Sequence, residues 1–443
     1  MVAPLKVGLA GLGTVGSSVL QLIAQQQLAA RCGRSVEVVA VCARDRNRDR
    51  GVDLSGMHWF DDPVKLASDS GIDVFVELMG GEGDPAKAAV EAALAAGKSV
   101  VTANKALLAR HGVALAKLAE TNKVALNFEA AVAGGIPIIK ALREGFAGNS
   151  FARIYGILNG TCNYILTRME QEKLSFAECL KDAQRLGYAE ADPTFDVEGY
   201  DTAQKLAILA SIAFGTKVDA DAIYVEGISS IAPADLIAAD ELGYRIKLLG
   251  VAVKTDTGIE QRVHPTMVPK SSAIAQVMGV TNAVTIDADG IDPITLVGPG
   301  AGGLATASSV VADIGDIARG ARIAPFGRAV DSLSVAGKAP MQMHEGGYYI
   351  RLLAVDKPGT AATIATRLAE QDISLESIVQ RHLVTPGAAP QGGTDARTAS
   401  GPVPVILITY ATTEDAVRRA IAAVKADQVI SGEPQLIRIE KNR

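Results

Sequence analysis

The densest chemistry in this 443-residue chain lies in residues 187–209, GYAEADPTFDVEGYDTAQKLAIL. Gly187, Pro193 and Gly199 interrupt its first half, so Glu190, Asp192, Asp196 and Glu198 are read on a loop. From about Asp201 the spacing turns helical and runs to Phe214. Asp201 and Lys205 are four apart and share a helix face, and Ile208, Leu209 and Ile212 follow on the same side. An isolated pair at this spacing is usually a surface ion pair that adds little stability. A lysine on an apolar flank, one turn after an aspartate and beside an acidic loop, reads instead as the acid/base group of a substrate pocket.

Other residues carry further chemistry. Gly11-Leu12-Gly13-Thr14-Val15-Gly16 follows an apolar stretch and opens a helical run to about residue 26. In that context Gly11 permits a tight turn, Gly13 lets backbone approach a pyrophosphate, and Gly16 lets helix pack on strand. The N–H groups of the helix start, at Thr14 and Val15, suit the anion. Arg44 follows the second predicted strand, about where an acid for the ribose 2′-hydroxyl is expected. An arginine suits a 2′-phosphate, which favours NADP(H) with NAD(H) also possible. The basic stretch 44–50 reads equally as a solvated loop in which Asp45 serves the ribose.

Lys105 follows strand 99–102 at a carboxyl end, where ligands sit in such folds, and should face the nicotinamide. The alternative is a plain lysine at a helix start. Residues 128–138, FEAAVAGGIPI, leave backbone carbonyls beside Glu129. Oxygen ligands of that kind suit a hard cation, although the pattern alone favours a simple hinge. Residues 297–303 form a glycine loop at the start of a small-residue helix over 305–318, a second anion- or nicotinamide-facing site at Gly303.

These residues need elements to hold them. Strands are predicted at 5–10, 36–41, 72–77, 99–102 and 124–128, with helices at 85–96 and 106–120. The alternation is that of an α/β, Rossmann-type dinucleotide-binding domain over residues 1–130, completed by about 304–340. Strands at 151–158, 246–253, 260–268 and 283–287 predict a separate sheet in an α+β substrate and dimerisation domain over 131–303. Residues 346–443 read as strand 348–355, helix 360–370, strands 373–381 and 404–410, helix 414–425 and strand 435–440, the order βαββαβ. The Gly-, Ala-, Pro- and Thr-rich stretch 386–402 is expected to be a mobile loop. Residues 1–345 are expected to form a core of their own.

Composition excludes several classes. The chain is 48% hydrophobic and only 4% aromatic, which suits buried parallel strands and Ala-rich helices. A net charge of −6 without a long basic run argues against nucleic acid as partner. No apolar run is long enough for a membrane span, and no signal peptide is read. Cys32, Cys42, Cys162 and Cys179 show no metal-ligand spacing, which predicts a reducing cytoplasm.

Taken in order, GLGTVG at 11–16, TANKALLA at 102–109, NFEAAVAGGIPI at 127–138, NGTCNYIL at 159–166, residues 187–209 and GPGAGGLATASSVVADI at 298–314 resemble homoserine dehydrogenases. The resemblance implies interconversion of L-aspartate 4-semialdehyde and L-homoserine with a nicotinamide dinucleotide. It implies that Lys205 gives and takes the proton and that Glu190, Asp201 and the backbone at Gly187 hold the substrate. Lys105 would lie between nicotinamide and substrate. Glu129 and the carbonyls of Val132, Gly134 and Ile136 would bind a monovalent cation, sodium or potassium, which overrides the hinge reading. The C-terminal part resembles an ACT domain, implying an amino-acid effector, with L-threonine expected, and a homodimer or homotetramer. A sensor that binds nucleotide and amino acid without catalysis is the rival class; it needs no proton donor such as Lys205.

Overall fold

The computed structural model describes residues 2–25, 27–337, 339–380 and 402–440. Its first sheet is built from β1 (Leu5–Ala10), β2 (Val36–Cys42), β3 (His58–Phe60), β4 (Val74–Glu77), β5 (Ser99–Thr102) and β6 (Leu126–Asn127). The helices between them are α1 (Thr14–Ala24), α2 (Gln27–Cys32), α3 (Pro63–Ser68), α4 (Ala86–Ala95) and α5 (Lys105–Asn122). All pairings are parallel and the order is β3-β2-β1-β4-β5-β6. Helices cover both faces, so Val7, Leu9, Val74, Phe75 and Val76 are wholly buried. The strand order reverses between β1 and β4, which opens a crevice at their carboxyl ends.

The glycine turn sits at that crevice. Gly11 adopts φ +101°, and a Cβ there would lie 2.4 Å from the Leu78 carbonyl oxygen. A Cβ on Gly16 would lie 2.0 Å from the Gly11 carbonyl oxygen. Only glycine lets the turn close and the helix pack down.

The middle of the chain contains α6 (Ile138–Lys140), β7 (Phe151–Ile157), α7 (Gly160–Glu172), α8 (Phe176–Arg185), α9 (Thr194–Val197) and α10 (Tyr200–Phe214). It continues through β8 (Tyr224–Val225), α11 (Pro233–Glu241), β9 (Tyr244–Thr255), β10 (Gly258–Pro269), β11 (Thr281–Ala288) and β12 (Ile291–Pro299) to α12 (Gly303–Ala318). Strand β12 was not foreseen. It pairs antiparallel with β11 up to Pro299, so the glycine loop before α12 is shorter than the sequence suggested. Helix α12 returns to the first sheet, where Ala307, Val310 and Ile314 share a core with Val19 and Ile23 of α1.

The last part is β13 (Glu345–Ala354), α13 (Thr360–Ala369), β14 (Leu375–Gln380), β15 (Val403–Thr409), a two-residue β16 (Thr412–Thr413), α14 (Glu414–Ala426) and β17 (Ile430–Ile439). Apart from β16 this is the predicted βαββαβ order. The expected loop at 386–402 lies outside the described residues except for Pro402.

The sheets of the middle and last parts are one. Eleven strands make up this second sheet, and its main path runs β12-β11-β7-β9-β10-β17-β13-β15-β14. The join is parallel, with Thr266 opposite Arg438 and Met267 opposite Ile439. Buried charges cross it. Arg438, itself anchored on Glu414 within the last part, pairs across it with Glu226, and the fully buried Asp235 accepts from Tyr349 at 2.9 Å and from Arg351 at 2.6 Å. Residues 1–345 therefore bury one acid, Asp235, whose partners Tyr349 and Arg351 lie beyond residue 345.

Candidate active site

A cleft of about 790 Å³ opens between the first sheet and the middle of the chain. Its walls come from the end of β5, residues 130–134, the starts of α7 and α12, and the segment 187–205. Lys105, Asp201 and Lys205 meet in it.

Each is fixed by local structure. Lys105 is the first residue of α5, whose N-cap Asn104 accepts from Leu107 N at 3.1 Å. Asn104 is held in turn by Thr102 Oγ1, which accepts its N–H at 3.0 Å and itself donates to the buried Glu77 at 2.6 Å. Asp201 and Lys205 project from successive turns of α10, which is buried along Leu206, Ile208, Leu209 and Ile212. Gly199, at φ +89°, turns the chain into this helix.

Lys205 Nζ donates to Asp201 Oδ2 and to the Leu158 carbonyl, each at 2.7 Å. Lys105 Nζ pairs with the other oxygen, Asp201 Oδ1, at 3.2 Å. Asn159, the N-cap of α7, donates through Nδ2 to Asp201 Oδ2 at 2.9 Å and to Asp196 Oδ1 at 2.8 Å. Burial works to raise the Asp201 carboxyl, but Lys205, Lys105 and their hydrogen bonds outweigh it and hold the group at about 2. Burial, with Asp201 next, pushes the Asp196 carboxyl above its ordinary value. The arrangement joins a fixed carboxylate to two ammonium groups in a cleft. It can hold a polar substrate and exchange one proton with it.

The remaining sequence candidates fall at several places. Gly187, at φ +76°, lines the cleft. Glu190 does not; its side chain is exposed, and Asp196 from the same acidic stretch supplies the carboxylate in the cleft. Nothing periodic in the stretch told these two acids apart. Asn159 was also missed, although an Asn-Gly-Thr run at a strand–helix junction is an N-cap signal.

At the glycine turn, Gly13 and Thr14 are exposed and Val15 is partly covered, leaving the N-terminus of α1 open at the crevice. Gly303, the first residue of α12, packs so close to α1 that a Cβ would meet Ser18 Oγ at 2.7 Å. Two helix starts thus converge beside the cleft. Arg44 is exposed just beyond β2. The neighbouring Arg50 ties this loop to the glycine turn by donating to the Leu12 carbonyl at 3.2 Å.

Glu129 is buried, and its oxygens accept from Ile139 N at 2.8 Å and Lys140 N at 2.7 Å. Burial and then the nearby Asp313 push its carboxyl up to about 7. Ala133 and Gly134 are both left-handed, at φ +54° and +44°, which folds the carbonyl-rich segment back on itself. The Gly134 carbonyl accepts from Ser309 at 2.7 Å, and the Ile136 carbonyl from Ile138 N at 2.8 Å; Val132 is wholly buried. Among the described residues no group of three or more His, Cys, Asp or Glu could hold a metal ion. One buried carboxylate with neutral carbonyls is a donor set for a cation of low charge.

Comparison with known proteins separates the open readings. A sequence model of the homoserine dehydrogenase NAD-binding domain matches residues 11–129, and one of homoserine dehydrogenase itself matches residues 137–314. Homoserine dehydrogenases of Neisseria gonorrhoeae and Pseudomonas aeruginosa are 43% and 45% identical to the chain, each alignment covering 99% of both sequences.

The chain belongs to the homoserine dehydrogenase family.

Members of that family are NAD(P)-dependent oxidoreductases acting on a CH–OH group, and this chain is one of them. A crystal structure of a homoserine dehydrogenase from Thiobacillus denitrificans superposes with a TM-score of 0.90 at 41% identity, covering 99% of this chain and 98% of that one. A hyperthermophilic archaeal homoserine dehydrogenase in complex with NADPH gives a TM-score of 0.60 at 26% identity, covering 71% of this chain and 97% of that one. The motifs that suggested the family in the sequence are the ones that line the cleft and the glycine turn. No helix among the described residues is long and apolar enough to cross a membrane.

Proposed function

We propose that the chain interconverts L-homoserine and L-aspartate 4-semialdehyde, with Lys205 as the group that gives and takes the proton. One observation carries this reading. An ammonium has three donors, and two of those on Lys205 are engaged, by the Leu158 carbonyl and Asp201. The third is left for the substrate oxygen at the cleft. When bound, the dinucleotide supplies the hydride to the aldehyde carbon, or accepts it from the alcohol carbon. In reduction Lys205 donates its proton to the oxygen that gains negative charge, and in oxidation it takes the hydroxyl proton. Lys105 adds positive charge at the same centre, and Asp201 fixes both ammonium groups. Asp196, lining the cleft, suits the substrate ammonium better than the exposed Glu190.

The dinucleotide fits the exposed N-terminus of α1, with NADP(H) preferred through Arg44 and NAD(H) also accepted. A monovalent cation, sodium or potassium, fits Glu129 with the carbonyls of Val132, Gly134 and Ile136. There it would offset the buried carboxylate and fix the segment between the two halves of the cleft. The C-terminal βαββαβ part is read as an ACT domain that makes activity sensitive to L-threonine. Assembly as a homodimer or homotetramer belongs to this reading. Four free thiols accord with a reducing cytoplasm.

The test is to follow reduced-nicotinamide absorbance with homoserine and each cofactor. Turnover of homoserine but not of malate or glutamate derivatives supports the reading. The reverse selectivity rejects it in favour of a reductase of another semialdehyde or oxo acid.

A further inference from the structure

A second polar cavity, of about 560 Å³, lies between the C-terminal part and the segment that leads into α10. The wall from the middle of the chain carries Glu198, Tyr200, Glu226, Ser229 and Ser230; the wall from the C-terminal part carries Arg351, Arg418 and Glu433. The Glu198 side chain has no hydrogen-bond or ion-pair partner among the described residues, and neither have the two serine hydroxyls. The carboxylate lies against Gly227, where a Cβ would come within 2.3 Å of Glu198 Oε2. The absence of a side chain at Gly227 therefore makes the room that Glu198 occupies.

The arginines of the opposite wall are anchored but not exhausted. Arg351 uses Nε and Nη2 on Asp235, at 2.6 and 3.0 Å. Arg418 uses Nε on Glu414 at 2.8 Å and Nη2 on Tyr224 at 2.7 Å and on Glu226 at 3.2 Å. Each keeps its Nη1 group without a partner among the described residues. A guanidinium held on one side and free on the other is prepared for a carboxylate. The cavity thus offers a free carboxylate and unused hydroxyls from the middle of the chain, and free guanidinium N–H groups from the C-terminal part. That is the complement of a small molecule carrying both an ammonium and a carboxylate.

Its position gives such a ligand leverage. Glu198 stands two residues after Asp196 and three before Asp201, and Tyr200 directly precedes Asp201. The segment 196–201 therefore has Asp196 and Asp201 in the active-site cleft and Glu198 and Tyr200 in the second cavity. A ligand that draws the two walls together moves or stiffens the backbone that carries the active-site acids.

We propose that this cavity is the site where a free α-amino acid binds and regulates the enzyme, its ammonium on Glu198 and its carboxylate on Arg351 and Arg418. This rests on the reading that the C-terminal part makes the activity amino-acid-sensitive, and it assigns that sensitivity to the junction with the segment that leads into α10.

The experiment uses the full-length protein with L-threonine as probe. Homoserine oxidation is measured across a threonine series for the wild type and Ser230→Leu, which fills the cavity from an exposed position. Labelled threonine is followed by equilibrium dialysis for the wild type and Glu198→Gln. Ser230→Leu is expected to keep wild-type turnover without threonine and to need at least about tenfold more threonine for half-inhibition. Glu198→Gln is expected to bind threonine at least about tenfold more weakly. If the wild type is inhibited and both variants behave like it, the effector binds elsewhere and this assignment falls while amino-acid regulation stands. Inhibition that is purely competitive with homoserine and unchanged in both variants overturns it in favour of the active site. A wild type that neither binds nor responds to threonine rejects the regulatory reading itself.

Discussion

Lys105 and Lys205 hold opposite oxygens of one carboxylate, Asp201, at 3.2 and 2.7 Å. One lysine begins a helix of the dinucleotide-binding sheet and the other lies inside α10, so the two halves of the cleft meet through a single acid. The acid keeps two cations close together where they would otherwise repel.

Asp201→Asn should therefore harm both turnover and stability. The folded carboxyl sits at about 2 against an ordinary 3.8, so its stabilising contribution is complete above about pH 4 and is lost as the pH falls toward 2. That shift corresponds to about 2 kcal/mol. Denaturation measured at several pH values should show the variant destabilised at pH 7 and less sensitive to acid over that window. A variant that follows the wild-type pH dependence would remove Asp201 as the source.

Gly13→Ala separates folding from binding. Gly13 has φ −78°, and a Cβ there would meet nothing within 4 Å. The variant should melt like the wild type yet bind the dinucleotide at least about tenfold more weakly, because the added methyl occupies space next to the exposed helix start. Unchanged cofactor affinity would move the pyrophosphate away from this turn.

Arg44→Ala should weaken NADP(H) more than NAD(H). A charge-assisted hydrogen bond is worth about 1.5–3 kcal/mol, which is roughly ten- to hundredfold in kcat/KM. Equal losses with both cofactors, or none, would return residues 44–50 to a solvated loop.

Glu129→Ala should remove dependence on sodium or potassium. It should also destabilise the fold by about 1–3 kcal/mol, because the N–H groups of Ile139 and Lys140 lose their acceptor. An enzyme indifferent to monovalent cations before and after the change would leave Glu129 as a helix cap alone.

Much of this was legible in the sequence for identifiable reasons. The strand–glycine turn–helix run of β1 and α1 is a local pattern, and so is the apolar flank that made Lys205 stand out. Asp196 and Glu190 were not resolved from each other, since they share an irregular stretch with no period to orient them. Asn159 carries a readable N-cap signal, but the donation to Asp201 that joins α7 to α10 is set by the fold, and no sequence spacing reveals it. The seam between β10 and β17 is likewise silent in sequence. Its strands are far apart along the chain, and the pairs Arg438 with Glu226 and Arg351 with Asp235 look like ordinary surface charges until the sheet brings them together.

The most direct test of the account is turnover of homoserine by Lys205→Ala, with cofactor binding measured on the same preparation. Loss of a proton donor typically costs about 10²–10⁴-fold. The account predicts a fall in kcat of that size while the dinucleotide still binds with wild-type affinity. Turnover near the wild-type value would contradict it and remove Lys205 from the chemistry.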